Sequence, residues 1–458
     1  MQSTFDGLLA FAFVAAMLMA GTILRAKVGF LRRALVPASL LGGVLGFGLL
    51  SAGLGYGYAS EDFGVFTFHC FTLSFMSLVL TGNDDATKGG SVTLGGSWLA
   101  VVWVMSLVLQ ALVGLTVVLA YNGIGVGDDE PLSKFLGLLV THGFTQGPGQ
   151  ALALGNIWET EFGIAHAINF GLIYASMGFL AAFVIGVPVA RWAVRRGLNQ
   201  NKNARIDDEF LIGLRAATSR VSAGNQVTHS ANVDSLAWHI SILGVAYLLT
   251  DQYLAFANPI ASKISMGEGD LGIIFSHNLF FIHGLMICVL VRRLMDRFGL
   301  GRFIDNETQR RITGSAVDYM VVATLMSIKV ALLASFLVPI VLICTAVTIT
   351  TALLCFGLGY LTPKLGVERS LVAFGCCCGS TGSGLLLLRI LDPDLTTPIA
   401  RELAFFNIAI LALGFHVLTV MAPILPTLST AVIVGVYAAT LLVGGALILL
   451  VSKQLARR

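Results

Sequence analysis

Two stretches of the chain concentrate groups that could do chemistry. Thr141–Gly155 reads THGFTQGPGQALALG, and Phe374–Leu388 reads FGCCCGSTGSGLLLL. In the first, Gly147-Pro148-Gly149 dictates a turn, because proline fixes one torsion and glycine tolerates the others. Thr141, Thr145, Gln146 and Gln150 surround that turn with hydrogen-bonding groups. The second stretch offers Gly379, Ser380, Thr381, Gly382 and Ser383, followed by Gly384, with the same properties. A helix interrupted at such a point turns unpaired N–H groups toward an anion and unpaired carbonyls toward a cation. Tight turns packed between helices would use the same residues. The chemistry on offer is binding rather than bond-making. No convergent pair of catalytic acids and no zinc motif such as HExxH stands out, so the chain is not expected to be an enzyme and needs no cofactor.

Ionisable groups inside apolar sequence are costly and are functional candidates by default. Asn83-Asp84-Asp85 closes the third apolar run, and Asp318 lies early in the corresponding run of the second half, so a cation is a plausible partner for Asn83, Asp84 and Asp318. A solvated helix end would explain them equally. Arg389 suits a substrate carboxylate, or an interfacial arginine paired with Asp392. His142 could relay protons or sit as a satisfied buried histidine. Cys376–Cys378 fit neither a disulfide framework nor a zinc spacing and read as small packing residues.

These residues need a membrane scaffold. Of the 458 residues, 56% are hydrophobic and 12% are charged, against roughly 25% charged in a soluble domain. Mean hydropathy is +0.86, and the net charge of +3 gives no reason to expect nucleic acid. Runs long enough to span a bilayer fall at 5–24, 34–54, 63–83, 95–120, 164–190, 234–256, 271–291, 313–335, 337–361, 402–421 and 428–452. Broken segments lie at 132–157 and 368–390. The first run has no basic leader and no small-residue cleavage site, so it reads as a retained span. With the N-terminus outside and the C-terminus cytoplasmic, every Lys and Arg except Lys134, Lys263 and Lys329 falls on the cytoplasmic side, as the positive-inside rule requires.

This layout predicts an all-α polytopic protein built as an inverted repeat. Each half, 1–193 and 234–427, holds five spans and one re-entrant hairpin, and the halves start on opposite sides. Residues 194–233 read as a cytoplasmic linker and 428–458 as an extra C-terminal helix. Two oppositely directed hairpins meeting near the midplane predict a secondary transporter, its site open to either side in turn.

The residues also resemble a known family. Phe30-Leu31-Arg32-Arg33 through Pro37 with Gly42-Gly43, Thr81-Gly82-Asn83 before Lys88-Gly89-Gly90, HGFTQGPGQALALG, Asn169-Phe170-Gly171-Leu172, Pro188-Val189-Ala190-Arg191 and GSTGSGLLLLRILDP are similar to bacterial sodium/glutamate symporters over nearly the whole chain. That resemblance implies sodium-coupled uptake of glutamate, a site at re-entrant loops, a homodimer and an elevator-like movement in the inner membrane. The first hairpin departs from the compact GGHGT-type signature, the three cysteines are unusual, and the last helix is additional. On this reading Thr141, Gln146, Gly147, Gly149, Gln150, Gly379–Ser383 and Arg389 hold substrate, and Asn83, Asp84, Thr145 and Asp318 hold sodium. Another dicarboxylate or amino acid, and coupling to protons through His142 and Asp318, remain alternatives. A channel would want a repeated filter-like segment or a ring-forming charge, and an enzyme would want catalytic groups; neither stands out.

Overall fold

Where water is absent, an apolar segment satisfies its backbone by bonding each N–H within the segment, as a helix does. The computed structural model follows that rule almost throughout. It describes residues 2–81, 90–125, 131–202, 208–216, 218, 222–266, 269–393 and 395–457.

The chain begins with α1 (Gln2–Lys27), α2 (Gly29–Ala34), α3 (Ala38–Ser51) and α4 (Gly64–Leu80). The long α5 (Gly90–Ile124) leads into the pair α6 (Lys134–Phe144) and α7 (Pro148–Thr160), then α8 (Ala167–Arg195). The polar stretch after α8 contributes α9 (Asp208–Ile212). Then come α10 (Ser235–Ala261), a short antiparallel turn of β1 (Ser265–Met266) with β2 (Gly269–Asp270), α11 (Phe280–Arg297) and α12 (Asn306–Met326). Next are α13 (Val330–Ser335), α14 (Leu337–Gly359) and the second pair, α15 (Gly366–Cys378) with α16 (Thr381–Leu391). The chain closes with α17 (Ile399–Leu413), α18 (Ala422–Ile424) and α19 (Thr430–Ala456).

Among the described residues, eight helices are long and apolar enough to cross a membrane: α1, α4, α5, α8, α10, α11, α14 and α19. Three of the expected spans take a different form. The run at 34–54 folds as the 14-residue α3. The run at 313–335 divides after Met326, with Lys329 at the start of α13. The run at 402–421 divides at Gly414, where α17 gives way to a π-turn over His416–Met421.

The helices gather into two compact units, each drawing on both halves of the sequence. The first comprises 1–23, 38–84 and 213–327. In it Met76 and Leu80 of α4 pack against Ile242, Leu243 and Ala246 of α10 and Cys288 of α11. Ala10 and Val14 of α1 meet Phe63 and the Val322, Ala323 and Met326 face of α12.

The second unit comprises 24–37, 85–212 and 328–458 and contains both helix pairs. Its central column is α5, which packs against α6, α14, α17 and α19. Lined along α8, at Gly171, Gly178 and Gly186, are three places where a side chain would strike a neighbour. Spacings of seven and eight residues put all three on one face. A Cβ at Gly171 would meet Ala151 of α7, one at Gly178 the carbonyl of Cys378, and one at Gly186 the side chain of Leu387. Both helix pairs therefore seat on the same bare stripe.

Candidate functional site

The first pair breaks where the sequence predicts. Gly147 has φ of 86°, a left-handed conformation that glycine adopts freely. Pro148 then opens α7 at a position where its missing N–H costs nothing. Thr141, His142, Thr145, Gln146 and Gln150 are all buried at this tip. Nδ1 of His142 lies 2.6 Å from Oε1 of Gln146, and the ring meets Trp158 edge-on at 5.8 Å. Among the described residues, Oγ1 of Thr141, Nε2 of His142, Nε2 of Gln146 and the Tyr174 hydroxyl are buried without a hydrogen-bond partner. Native interiors rarely leave such groups unpaired, so this tip has binding capacity to spare.

The second pair breaks at Gly379, and Ser380 caps α16 by accepting the N–H of Ser383 at 3.3 Å. Thr381 donates from Oγ1 to Oδ1 of Asn407 at 3.0 Å, which ties the tip to α17. Ser383 is buried, whereas Gly382 is exposed. The two limbs pack so closely that a Cβ at Gly375 would sit 2.7 Å from Cα of Gly384.

The tips touch. A Cβ at Gly147 would lie 3.5 Å from the carbonyl oxygen of Gly379, and Thr145 donates from Oγ1 to the carbonyl of Cys377 at 3.1 Å. One side chain of α5 joins both. Gln110 accepts from Oγ1 of Thr145 at 2.7 Å through Oε1. Its Nε2 lies 2.9 Å from the Cys377 carbonyl, 2.9 Å from Oγ1 of Thr351 and 3.1 Å from Oγ of Ser106. Trp103, also on α5, donates to the Thr145 carbonyl at 3.2 Å. The helices α7 and α16 start at these tips, presenting their partly positive ends, while α6 and α15 end there, presenting carbonyls.

The remaining expected residues lie elsewhere. Arg389 is exposed near the far end of α16, eight residues past Thr381 or about 12 Å along the helix. Asp318 is on α12 in the first unit, whereas Thr145 is in the second. Asn83 and Asp84 fall outside the described residues. Gln110, Ser106, Thr351, Trp103 and Tyr174 were not anticipated from sequence. The signal for Gln110 was present: one amide in the apolar run VMSLVLQALVGL.

At the opposite end of the second pair, residues of the polar stretch bind its foot. Gln200 donates its backbone N–H to Glu368 at 2.6 Å, and Asn199 donates to the carbonyl of Leu391 at 3.1 Å. Asp392 accepts from Asn201, from Thr396 and from the backbone N–H of Thr397. Burial alone would raise the Asp392 carboxyl, but these donors hold it down at about 2. A cavity of about 490 Å³ opens here, lined by Gln200, Asn201, Lys364 and Thr396 among others. It lies at the foot, away from the polar tips, and the buried Thr397 hydroxyl on its lining is another group without a hydrogen-bond partner among the described residues.

Comparison with known proteins gives two findings. No curated protein matches the chain. The family described as sodium/glutamate symporter matches it over residues 3–385, ending within the second helix pair.

Proposed function

The chain belongs to the sodium/glutamate symporter family, and from that premise we propose that it is a secondary active transporter carrying glutamate together with sodium. One observation supports this above the others: two broken helix pairs meet tip to tip in one compact unit. The N–H groups at the start of α16, with the hydroxyls of Ser380, Thr381 and Ser383, would hold a substrate carboxylate. Thr141, Gln146 and Gln150, with the backbone at Gly147 and Gly149, would complete a polar pocket. Carbonyls freed at the ends of α6 and α15 suit sodium, which takes oxygen ligands.

In this reading the protein sits in the inner membrane as a homodimer, N-terminus outside and C-terminus cytoplasmic, its halves an inverted repeat with two re-entrant hairpins. It works by the elevator-like movement the family implies. Coupling follows if the fully loaded and the empty carrier cross while the half-loaded one does not. The test is glutamate uptake into proteoliposomes with and without an inward sodium gradient. Accumulation that needs sodium is the expected result. No glutamate uptake by correctly inserted protein would turn the search to other anions. A second reading, coupling to protons, rests on the unpartnered Nε2 of His142; accumulation driven by a pH gradient without sodium would favour it.

A further inference from the structure

The cluster around Gln110 has more oxygen than protons to serve it. The amide nitrogen carries two protons, yet three oxygens surround it: Oγ of Ser106, Oγ1 of Thr351 and the carbonyl of Cys377. Thr145 has one hydroxyl proton and two oxygens in reach, Oε1 of Gln110 and the Cys377 carbonyl. The hydroxyl proton of Thr351 is already given to the carbonyl of Val347 at 2.7 Å. All five residues are buried, away from bulk solvent. The Cys377 carbonyl lies in the last turn of α15, at the negative end of that helix. A buried knot of lone pairs, with one weakly positive amide nitrogen at its centre, is the environment a hard cation completes.

We propose that these five oxygens, from Ser106, Gln110, Thr145, Thr351 and the Cys377 backbone, are the binding site of the sodium ion that the protein co-transports. The proposal rests on the sodium-coupled reading above and differs from the ligand set expected from sequence, of which only Thr145 takes part. Turning the Gln110 amide over puts Oε1 in place of the N–H groups, so that an ion beside it bridges Oε1 to the oxygens of Ser106, Thr351 and Cys377. The five ligands come from α5, α6 and its turn, α14 and the end of α15. The site is therefore complete only while both tips are in contact, and sodium binding favours the geometry that the substrate pocket needs. That is a coupling free energy between two ligands through a shared element.

Thr351→Val and Ser106→Ala each delete one ligand oxygen with little change of volume, and neither residue belongs to the proposed substrate pocket. For the purified full-length protein, melting temperature is measured in sodium chloride and in potassium chloride of equal ionic strength, which requires no knowledge of the substrate. The wild type is expected to melt higher in sodium. In each variant the sodium concentration for half the effect should rise about tenfold, while melting in potassium stays near the wild type. Thr351→Ser, which keeps the hydroxyl, should restore the sodium response. In proteoliposomes the sodium dependence of glutamate uptake should shift in parallel, toward higher sodium. A wild-type sodium response retained at full affinity by both variants overturns this site and leaves the transport reading standing. A wild type indifferent to sodium in both assays overturns the sodium reading and the site with it. If one variant fails to fold in potassium, the other decides.

Discussion

Arg369 and Glu402 form a buried two-point ion pair in the second unit. The guanidinium meets the carboxylate twice, at 2.9 and 2.7 Å, and both side chains are almost fully buried. Arg369 also donates to the carbonyl of Lys364 at 2.9 Å. Gly95 of α5 presses so closely on the Glu402 carboxylate that any Cβ there would overlap it. The pair fastens the foot of α15 to α17, just as Thr381 and Asn407 fasten the tip of α16 to the same helix. Removing one partner strands a buried charge, which costs about 3–5 kcal/mol, whereas replacing both with apolar groups of similar size is far milder. We therefore expect Glu402→Gln to lower the melting temperature markedly and Arg369→Met with Glu402→Leu to recover much of the loss. A single variant as stable as the wild type would mean that the pair holds nothing in place. Nothing in the sequence announces this pair, because its members lie 33 residues apart and each alone reads as an ordinary cytoplasmic charge. The tip residues were legible for the opposite reason: glycine, proline and hydroxyl groups cluster within one turn of chain, and local sequence suffices to break a helix.

The element that positions both tips is α8. Of its three contact glycines, Gly178 is the most constrained, since a Cβ there would run into the Cys378 carbonyl and lie 3.2 Å from Cα of Phe144, touching both pairs at once. At Gly186 the three nearest atoms all belong to the side chain of Leu387, whose methyl ends can rotate away. Gly178→Ala must push the tips apart and with them the contact between Thr145 and Cys377. We expect it to reduce uptake at least about tenfold while the protein still inserts, a loss of about 1.4 kcal/mol or more in the transport cycle. Gly186→Ala should transport at close to the wild-type rate. Equal uptake by the two variants would show that close seating of the tips on α8 does not matter. Small residues at 42–57 and 435–445 could mark close helix packing, but only some of them are used in that way. Gly42 lies against the Met17 backbone and Gly444 against Met105, whereas Gly48, Gly435 and Gly445 meet nothing within 4 Å. Glycine content shows where helices can approach. Which glycine is used depends on the partner's path, and that is set by contacts distant in sequence.

At the scale of the whole chain, the number of crossings decides where the termini lie. Eight helices satisfy length and apolarity among the described residues, and an even number of crossings would leave both termini on one side. The orientation proposed from the distribution of Lys and Arg puts them on opposite sides, which calls for an odd number of further crossings, three in the proposed layout. The candidates are those that depart from regular long helices: α3 with only 14 residues, α12 and α13 with the break before Lys329, and α17 with its π-turn at His416–Met421. Each is short, polar or interrupted and so departs from a regular span, although protein neighbours can satisfy a broken backbone at membrane depth. Basic residues follow every second segment only if these three are counted, since Arg25, Lys27, Arg32 and Arg33 precede α3 and Arg310 and Arg311 open α12. We expect a single cysteine at Gln2→Cys to react with a membrane-impermeant maleimide in intact cells. Arg457→Cys should react only after permeabilisation. The seven native cysteines are not exposed, six of them buried and Cys70 half-buried, so the unsubstituted protein sets the background. Labelling of both positions from one side would require an even number of crossings and would remove the inverted arrangement of the two halves. Labelling from opposite sides requires an odd number, which is what the proposed inverted repeat, with HGFTQGPGQ in one half and CGSTGSG in the other, needs.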